Sequence, residues 1–319
     1  MDVPDPIDRD QLEVLLTLVQ DGVVSRRQLV ELGARDHDVV RMLRRKELVR
    51  VPGHRGVYVD HTGPLSWDQR AWAAVLVHWP AALARESALP RPAPGGPIHV
   101  AISLDRKVVP VARVLAHRTP DLAHRVDWRR SPPRTRLEHA VLDVASLGRQ
   151  DVARVFTLLA EVCHTRETDP VRIAAVLATR RLAGARLLAG LLEDLDAGTC
   201  SVLERGYLHR VERAHGLPTG RRQVPARAGG VVVARDVEYA DHGLVVELDG
   251  RAFHDNPAAR DRDALRDLDA LAAEKLRTVR LTYGLVFDRP CRTARSVAAL
   301  LRRGGWSGPV RTCPDCVDW

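Results

Sequence analysis

The sequence predicts a multidomain protein of the α/β and α+β classes, with a small helix-rich domain first, a helical middle region, and a C-terminal α/β domain with a mixed sheet. The chain has 319 residues, which is enough for two or three domains. Residues 134–198 show helical apolar spacing, whereas β-type runs recur over residues 223–281. The composition, 45% hydrophobic and 28% charged, is typical of soluble globular proteins.

Residues 1–62 have the pattern of a small winged helix-turn-helix. Ser25 is a good N-cap for the second of three helices, and Pro52-Gly53-His54-Arg55 is a turn between two short strands. The predicted elements are helices over Asp10–Gln20, Arg26–Leu32 and Asp36–Lys46, followed by strands over Leu48–Val51 and Gly56–Val59.

Positive charge is concentrated on the third helix and the wing of this domain. Residues 41–55 contain one acid, Glu47, and six cations: Arg41, Arg44, Arg45, Lys46, Arg50 and Arg55. These are the parts of a winged helix that meet the major groove and the phosphate backbone, so the six residues are candidate DNA contacts. The alternative is a winged helix that binds protein, with solvated arginines.

The same segment resembles a known family. The pattern QLVELGARDHDVVRMLRRKELVRVPGHRGVY, the order of the helices, and the following run LSWDQRAWAAVL are similar to the N-terminal domain of the AbiEi family, the antitoxins of type IV toxin–antitoxin systems. The resemblance implies a transcriptional or DNA-docking role for this domain.

Residues 63–198 are predicted to be a mixed and then helical linker domain. A helix over Trp67–Val77 and strands over Ile98–Ser103 and Arg113–His117 come first. Helices then follow over Arg136–Ser146, Asp151–Cys163, Pro170–Thr179 and Ala183–Leu195. We assign no role to the histidines near the strands, His99, His117 and His124, because isolated histidines are more often surface or core residues.

The chemistry is concentrated in residues 199–306, where a hairpin carries acids on both strands. The hairpin reads VVVARDVEYADHGLVVELDGRAFH, and a turn at 240–243 would place Tyr239 opposite Leu244 and Asp236 opposite Glu247. Asp249 would share their face, because side chains alternate along a strand. Acids gathered on a strand that is otherwise apolar need a counter-charge, and a divalent cation supplies one. The alternative is a solvated polar face.

The predicted order α-β-β-β-α-β-α of this domain, with its motifs, resembles the Vsr-like (very-short-patch-repair-like) endonuclease domain of the PD-(D/E)xK superfamily. The residues that carry the resemblance are Leu203-Glu204, Arg235-Asp236, the block ELDGxxxH that ends at His254, and the following DxxRD and strand Val279-Arg280-Leu281. The resemblance implies a restriction-endonuclease-like α/β fold and a metal-dependent DNA endonuclease.

The resemblance also implies roles for single residues. Asp236 would be the central ligand of Mg²⁺ (or Mn²⁺), Glu247 the second, and Glu204 a third from the helix, with Asp249 beside them. His254 would move a proton near the attacked phosphate. The superfamily has lysine two residues after the second acid, where this chain has Asp249. Histidine replaces that lysine in Vsr-like members, which still leaves open a degenerate fold that binds DNA without cutting it.

The tail, residues 307–319, contains the CxxC pair Cys313 and Cys316, which is half of a zinc site. Cys291 is the best third ligand, and free thiols are the alternative. The chain has five cysteines, too few for a disulfide scaffold, so they are expected to be reduced.

The composition is compatible with a nucleic-acid partner. The formal net charge is +8, although only three of the 49 basic residues are lysines, which a GC-rich genome would also produce. The acidic N-terminus lacks a signal-peptide core and no apolar run could span a bilayer, so we expect a cytoplasmic protein without membrane contact. A non-catalytic, antitoxin-like regulator and a protein-interaction module are the alternatives to an endonuclease.

Overall fold

The structure is a computed structural model, and it describes residues 7–148, 150–197, 201–228, 231–249 and 276–316. The chain divides into two compact units, Met1–Val144 and Ala145–Trp319. Both units contain helices and strands, as the predicted mixed fold class requires, and within the described residues the strands form three sheets.

The first unit begins with helices and strands in the order α-β-α-α-β-β. They are α1 (Arg9–Val14, continued by a π-helical turn Leu15–Val19), β1 (Val23–Ser25), α2 (Arg26–Glu31), α3 (Asp36–Arg44), β2 (Val49–Arg50) and β3 (Val57–Val59). The strands pair antiparallel in the order β1-β3-β2. As predicted, Ser25 caps α2, and it does so through a capping box with Gln28. Val24, Leu29 and Met42 are buried in the core beneath the helices.

The rest of the first unit is a second sheet in the order β6-β5-β4-β8-β7. Its elements are α4 (Trp67–Val77), β4 (Ala82–Leu83), a 3₁₀ turn (Arg85–Ala88), β5 (Ile98–Ser103), β6 (Val114–Thr119), α5 (Leu122–Arg125), β7 (Val126–Asp127) and β8 (Arg134–Thr135). The prediction of α4, β5 and β6 is confirmed. One face of α4, with Trp72 and Leu76, packs on the first sheet, and Ala71, Ala74 and Val75 pack on the second.

The predicted helices of residues 134–198 are confirmed. They are α6 (Leu137–Leu147), α7 (Val152–His164), α8 (Pro170–Ala178) and α9 (Ala185–Ala197). Asp151 and Asp169 cap α7 and α8 by accepting backbone N–H groups, and Pro170 starts α8 at a position where no N–H is needed.

The sheet of the second unit has the order β12-β11-β10-β9. It follows α10 (Ser201–Gly206) and a π-helical continuation, Tyr207–Arg213, and consists of β9 (Arg221–Ala228), β10 (Val231–Tyr239), β11 (Leu244–Leu248) and β12 (Arg277–Leu281). Strands β9, β10 and β11 are antiparallel, whereas β11 and β12 are parallel, so the sheet is mixed. The predicted turn is confirmed, because Tyr239 pairs with Leu244 and Gly243 turns the chain with a φ of 58°.

The closing helix, α11, spans Pro290–Arg303. Pro290 occupies its first turn, where proline's fixed φ suits a helix start. Its buried face carries Ala294, Val297 and Leu301. Within the described residues, none of the helices combines the length and the hydropathy that crossing a membrane requires.

Candidate active site and metal centre

Two of the predicted acids meet at one end of the second-unit sheet. Glu204 comes from α10 and Asp236 from β10, and the side-chain amide of Gln223 on β9 joins them. Gln223 Nε2 donates to Oε1 of Glu204 over 2.8 Å and to Oδ1 of Asp236 over 3.2 Å. We call Glu204 and Asp236 the acidic pair.

Asp236 lies where the pairing of β10 with β11 ends. The last pair of the ladder joins Val237 to Val246, and Asp236 is the next residue on its strand. Its Oδ2 atom accepts the backbone N–H of Leu248 over 2.7 Å, in place of a backbone carbonyl. The two hydrogen bonds fix the carboxylate, because each of its oxygens is bound to a different neighbouring strand.

The electrostatic environment disfavours a charged Glu204. Burial raises the pKa of this carboxyl group, and the negative charges of Asp236 and Asp194 raise it further. Donation from Gln223 and the charge of Arg222 act in the opposite direction and do not cancel the effect. A cation between the acids would lower the pKa of Glu204 again, because it stabilises the charged form.

Glu247 is placed beside the acidic pair by register. Since Val237 pairs with Val246, the next position on each strand brings Asp236 and Glu247 to the same face of the sheet. Glu247 also neighbours Arg280 in the parallel ladder, and the backbone N–H of Asp249 donates to Leu281 over 2.9 Å just beyond it. Arg280 therefore supplies a positive charge close to Glu247.

The carboxylates do not form a closed three-acid site. Among the described residues, one group of three or more His, Cys, Asp or Glu side chains has its donor atoms within 4.8 Å of one another, and it contains none of the predicted acids. Glu204, Asp236 and Glu247 are thus neighbours without converging on one point. His254 lies outside the described residues.

Asp194 holds the helix that carries Glu204. Its buried carboxylate accepts the backbone N–H groups of Ser201 and Val202, over 3.0 and 2.9 Å, and the Ser201 hydroxyl over 2.6 Å. Tyr283 donates a further bond of 3.3 Å to it. The negative charge of Asp194 at the first turn of α10 also interacts favourably with the positive end of the helix dipole.

A buried polar network supports the strands next to the acidic pair, and sequence reasoning missed it. Oε2 of Glu212, a residue that is 1% exposed, accepts from Arg222 Nη2 over 2.8 Å, from the Tyr239 hydroxyl over 2.8 Å and from the Gly220 N–H over 3.3 Å. The Tyr239 and Tyr207 hydroxyls are 2.9 Å apart, and burial raises the pKa of both tyrosines. The network ties the helix of Tyr207 to β9 and β10.

Among the described residues, the group of side chains whose donor atoms all lie within 4.8 Å of one another consists of His215, Cys291, Cys313 and Cys316. We call it the Cys/His cluster. The three predicted cysteines come together as expected, and His215 is an addition. Sγ of Cys313 lies 3.5 Å from Sγ of Cys291 and 3.7 Å from Sγ of Cys316, which in turn lies 3.6 Å from Nε2 of His215. These side chains could hold a metal ion such as zinc.

The six predicted DNA contacts of the first unit are grouped along α3, β2 and the following turn. Arg41, Arg44 and Arg45 line a shallow groove on α3 together with His37 and Val40. Arg41 pairs with Asp38 over 3.0 Å, and Arg45 lies 3.8 Å from Glu47. The remaining predicted contacts are all exposed: Arg44, Lys46, Arg50 and Arg55.

Two histidines without an assigned role form a contact inside the first unit. His99 on β5 and His117 on β6 are diagonal neighbours in the parallel ladder, in which His99 pairs with Leu115 and His117 with Ala101. Nδ1 of His99 and Nε2 of His117 are 2.9 Å apart. Burial lowers the pKa of His117 to about 4, with Arg85 and His99 contributing to the shift. The pair is therefore held neutral at pH 7.

No model of a protein family matches the chain, and no curated protein is significantly similar to it. Function must be argued from the geometry of these sites.

Proposed function

We propose that this protein binds DNA through its N-terminal domain and hydrolyses phosphodiester bonds with a divalent metal ion at the acidic pair. The observation that carries the proposal is the position of Asp236 on a central strand, at the end of the β10–β11 pairing, with Glu204 beside it from the preceding helix. The order of helix and three antiparallel strands, followed by a parallel fourth strand, agrees with the Vsr-like resemblance of the sequence. Agreement of folds is an argument by analogy, so the site must be tested directly.

The residues present suit a hard divalent cation. Carboxylate oxygens are the ligands that Mg²⁺ and Mn²⁺ prefer, and Asp236 and Glu204 would supply two of them, because Mg²⁺ usually keeps several waters and needs only one or two carboxylates. A bound Mg²⁺ would polarise the scissile phosphate and lower the pKa of an attacking water. The Gln223 amide now donates to both acids of the pair, which is the electrostatic role that a cation would take over.

Features of the N-terminal domain support the proposal of a DNA-docking winged helix. The order α-β-α-α-β-β and the three-stranded sheet are those of the motif, in which the third helix enters the major groove. Arg44 and Lys46 on or after α3, and Arg50 and Arg55 nearby, are exposed and available to phosphates. Val40 is 48% exposed on the same helix and lines the groove together with Arg41, Arg44 and Arg45.

The decisive experiment compares two carboxylates on the same hairpin. Supercoiled plasmid is incubated with the full chain in Mg²⁺ or Mn²⁺, and nicking is measured for the wild type, for Asp236→Asn and for Asp241→Asn. Asp241 is an exposed residue of the turn that has no part in the proposed site, so its variant controls for loss of a negative charge.

We expect metal-dependent nicking by the wild type and by Asp241→Asn, and a loss of about 10²-fold or more in Asp236→Asn, because metal-ion catalysis contributes several kcal/mol. Equal nicking by all three proteins, or none by any of them in either metal, would refute the proposal.

The second candidate function is a non-catalytic, antitoxin-like regulator, and one observation favours it. Glu204, Asp236 and Glu247 do not converge within metal-binding distance, and Asp249 stands where the superfamily has lysine. A regulator would bind the DNA upstream of its own gene with equal affinity in wild type and Asp236→Asn, and neither protein would nick plasmid. Absence of salt-dependent binding to DNA or heparin would instead favour a protein-interaction module.

A further inference from the structure

The geometry points to a structural zinc site at the Cys/His cluster. Its four side chains bind one Zn²⁺, and the bound ion anchors the tail to the C-terminal domain. This site is separate from the proposed nuclease chemistry. Its four side chains come from three distant segments: the end of the helix that begins at Tyr207, the first turn of α11, and the tail.

The spacing of the donor atoms agrees with a tetrahedron. Zinc lies about 2.3 Å from thiolate sulfur and about 2.0–2.1 Å from imidazole nitrogen, so the edges of a tetrahedral site are about 3.8 Å between sulfurs and about 3.5 Å from sulfur to nitrogen. The measured edges are 3.5 Å from Cys291 to Cys313, 3.7 Å from Cys313 to Cys316, and 3.6 Å from Cys316 to His215. All three sulfurs and the nitrogen therefore surround a space of the right size for the ion.

The surrounding hydrogen bonds orient the ligands. His215 is fully buried, and its Nδ1 atom lies 3.1 Å from the carbonyl of Val211. That contact makes Nδ1 the protonated nitrogen and leaves the lone pair of Nε2 directed at the sulfurs. Two hydrogen bonds close the knuckle between Cys313 and Cys316. The Cys316 N–H donates to the Cys313 carbonyl over 3.0 Å, and the Cys313 N–H donates to Sγ of Cys316 over 3.3 Å.

The ligand set indicates a structural role for the ion. Catalytic zinc sites have three protein ligands and an open position for water, whereas three cysteines and one histidine complete a four-coordinate shell. The tail is also attached by a backbone bond from the Arg311 N–H to the His215 carbonyl, 2.8 Å long. His215 is three residues from Glu212, the centre of the buried polar network, so the ion would stabilise the end of the helix on which that network depends.

A disulfide is the competing state of these thiols. The distance of 3.5 Å between Sγ of Cys291 and Sγ of Cys313 is well beyond the bond length of about 2.05 Å, and both cysteines are free. Zinc uses all three cysteines together with His215, whereas a disulfide would join only two of the cysteines.

The test measures metal in the full chain, purified without chelators and desalted. We expect about one zinc ion per chain by mass spectrometry. Replacement by cobalt(II) should give the intense visible absorption and the thiolate charge-transfer band of a tetrahedral site. Cys316→Ser should lose the zinc, and Cys163→Ser should keep it, because Cys163 lies on α7 outside the cluster.

Because Cys316→Ser could fail to fold, the wild type supplies a second readout. A mercurial that titrates thiols should release the zinc in step with three cysteines, detected by a zinc-binding dye, and the melting temperature should fall when the zinc is removed. Wild-type protein that holds no zinc and gives no tetrahedral cobalt spectrum would overturn the proposal. So would a disulfide among Cys291, Cys313 and Cys316, or equal loss of zinc in Cys163→Ser.

Discussion

Glu204 and Asp236 share one hydrogen-bond donor, because Gln223 Nε2 lies 2.8 Å from an oxygen of the first and 3.2 Å from an oxygen of the second. An amide has only a partial positive charge, so the repulsion between the two acids is incompletely compensated. The pKa of Glu204 is raised first by burial and then by the charge of Asp236, which is consistent with this repulsion.

Removing the charge of Glu204 should stabilise the protein at neutral pH. Its pKa is higher in the folded than in the unfolded state, so between the ordinary value of 4.5 and the raised value the folded state binds more protons. The charge of Glu204 therefore does not destabilise the folded state at low pH, and its destabilising effect is complete above the raised pKa. Glu204→Gln should increase the free energy of unfolding at pH 7 by about 0.5 kcal/mol, since a half-buried charge is partly screened.

Urea unfolding between pH 4 and pH 8 would measure this difference for Glu204→Gln. The control is Glu193→Gln, an exposed acid on α9 that should change little at any pH. A Glu204→Gln variant that is less stable than the wild type at pH 7 without divalent metal would show that the acidic pair is not under strain.

Magnesium should stabilise the wild type through Asp236. A ligand that binds only the folded state, at ten times its dissociation constant, adds about 1.4 kcal/mol. We therefore expect a rise in melting temperature of about 2–5 °C for the wild type and for Asp241→Asn, and none for Asp236→Asn. Differential scanning fluorimetry over a Mg²⁺ titration measures this without any assay of nuclease activity. An equal rise in all three proteins would place the ion elsewhere.

The buried carboxylate of Glu212 should be the most sensitive polar position of the second unit. Glu212→Ala leaves the Arg222 guanidinium and the Tyr239 hydroxyl without their acceptor, and breaking a buried pair costs about 3 kcal/mol. Tyr239→Phe removes one donor and leaves the ion pair intact, so it should cost about 1 kcal/mol. Chemical denaturation of both variants compares the two values. Equal costs would mean that Arg222 contributes nothing.

The strands around the site could be predicted because local sequence determines them. The turn Asp241-His242-Gly243 needs a residue with positive φ at its end, and Gly243 meets that need, so the pairing of Tyr239 with Leu244 follows. The two-residue strands Ala82–Leu83 and Arg134–Thr135 could not be predicted. They are too short for alternation to be visible, and distant partners create them.

The site could be predicted only in part, for a similar reason. A CxxC spacing points to a metal, whereas His215 is a single histidine about a hundred residues upstream of it, with no local signal. Gln223 begins the predicted first strand of this domain, but its basic, proline-containing segment gives no sign that the amide bonds to both acids. Pro225 is accommodated there because β9 is the edge strand of its sheet.

The first unit should lose stability in mild acid because of His117. Burial first, and then the charges of Arg85 and His99, lower its pKa to about 4, while Glu86 and Asp143 oppose the shift. Between about pH 4 and the ordinary pKa of 6.5 the unfolded state binds more protons, so stability rises with pH and is complete above 6.5.

His117→Gln removes the titrating group and should flatten this dependence. The free energies of unfolding of His117→Gln and of the wild type are measured in urea from pH 4 to pH 8. The difference between them should change with pH below 6.5 and be constant above it. The stability of His117→Gln should still depend on pH to some extent, because burial also lowers the pKa of His99. A difference that is constant across the whole range would exclude His117 as the source.

DNA binding should depend on the arginines of α3, and the salt dependence of the affinity should show this. Arg44 and Arg45 line the groove of the third helix and are exposed, so each is expected to neutralise about one phosphate. The double variant Arg44→Ala/Arg45→Ala should bind duplex DNA more weakly, and the slope of log affinity against log salt should decrease by about two. Fluorescence anisotropy at several salt concentrations measures both quantities.

The control for this variant removes the same charge from another surface. Arg91 and Arg129 are exposed in the first unit and lie outside α3, β2 and the turn after β2. Arg91→Ala/Arg129→Ala lowers the net charge equally, so a pure net-charge effect would weaken binding to the same extent in both double variants. A loss of slope confined to Arg44→Ala/Arg45→Ala would identify α3 as the DNA-contacting helix, because release of counterions counts only the phosphates that the protein neutralises.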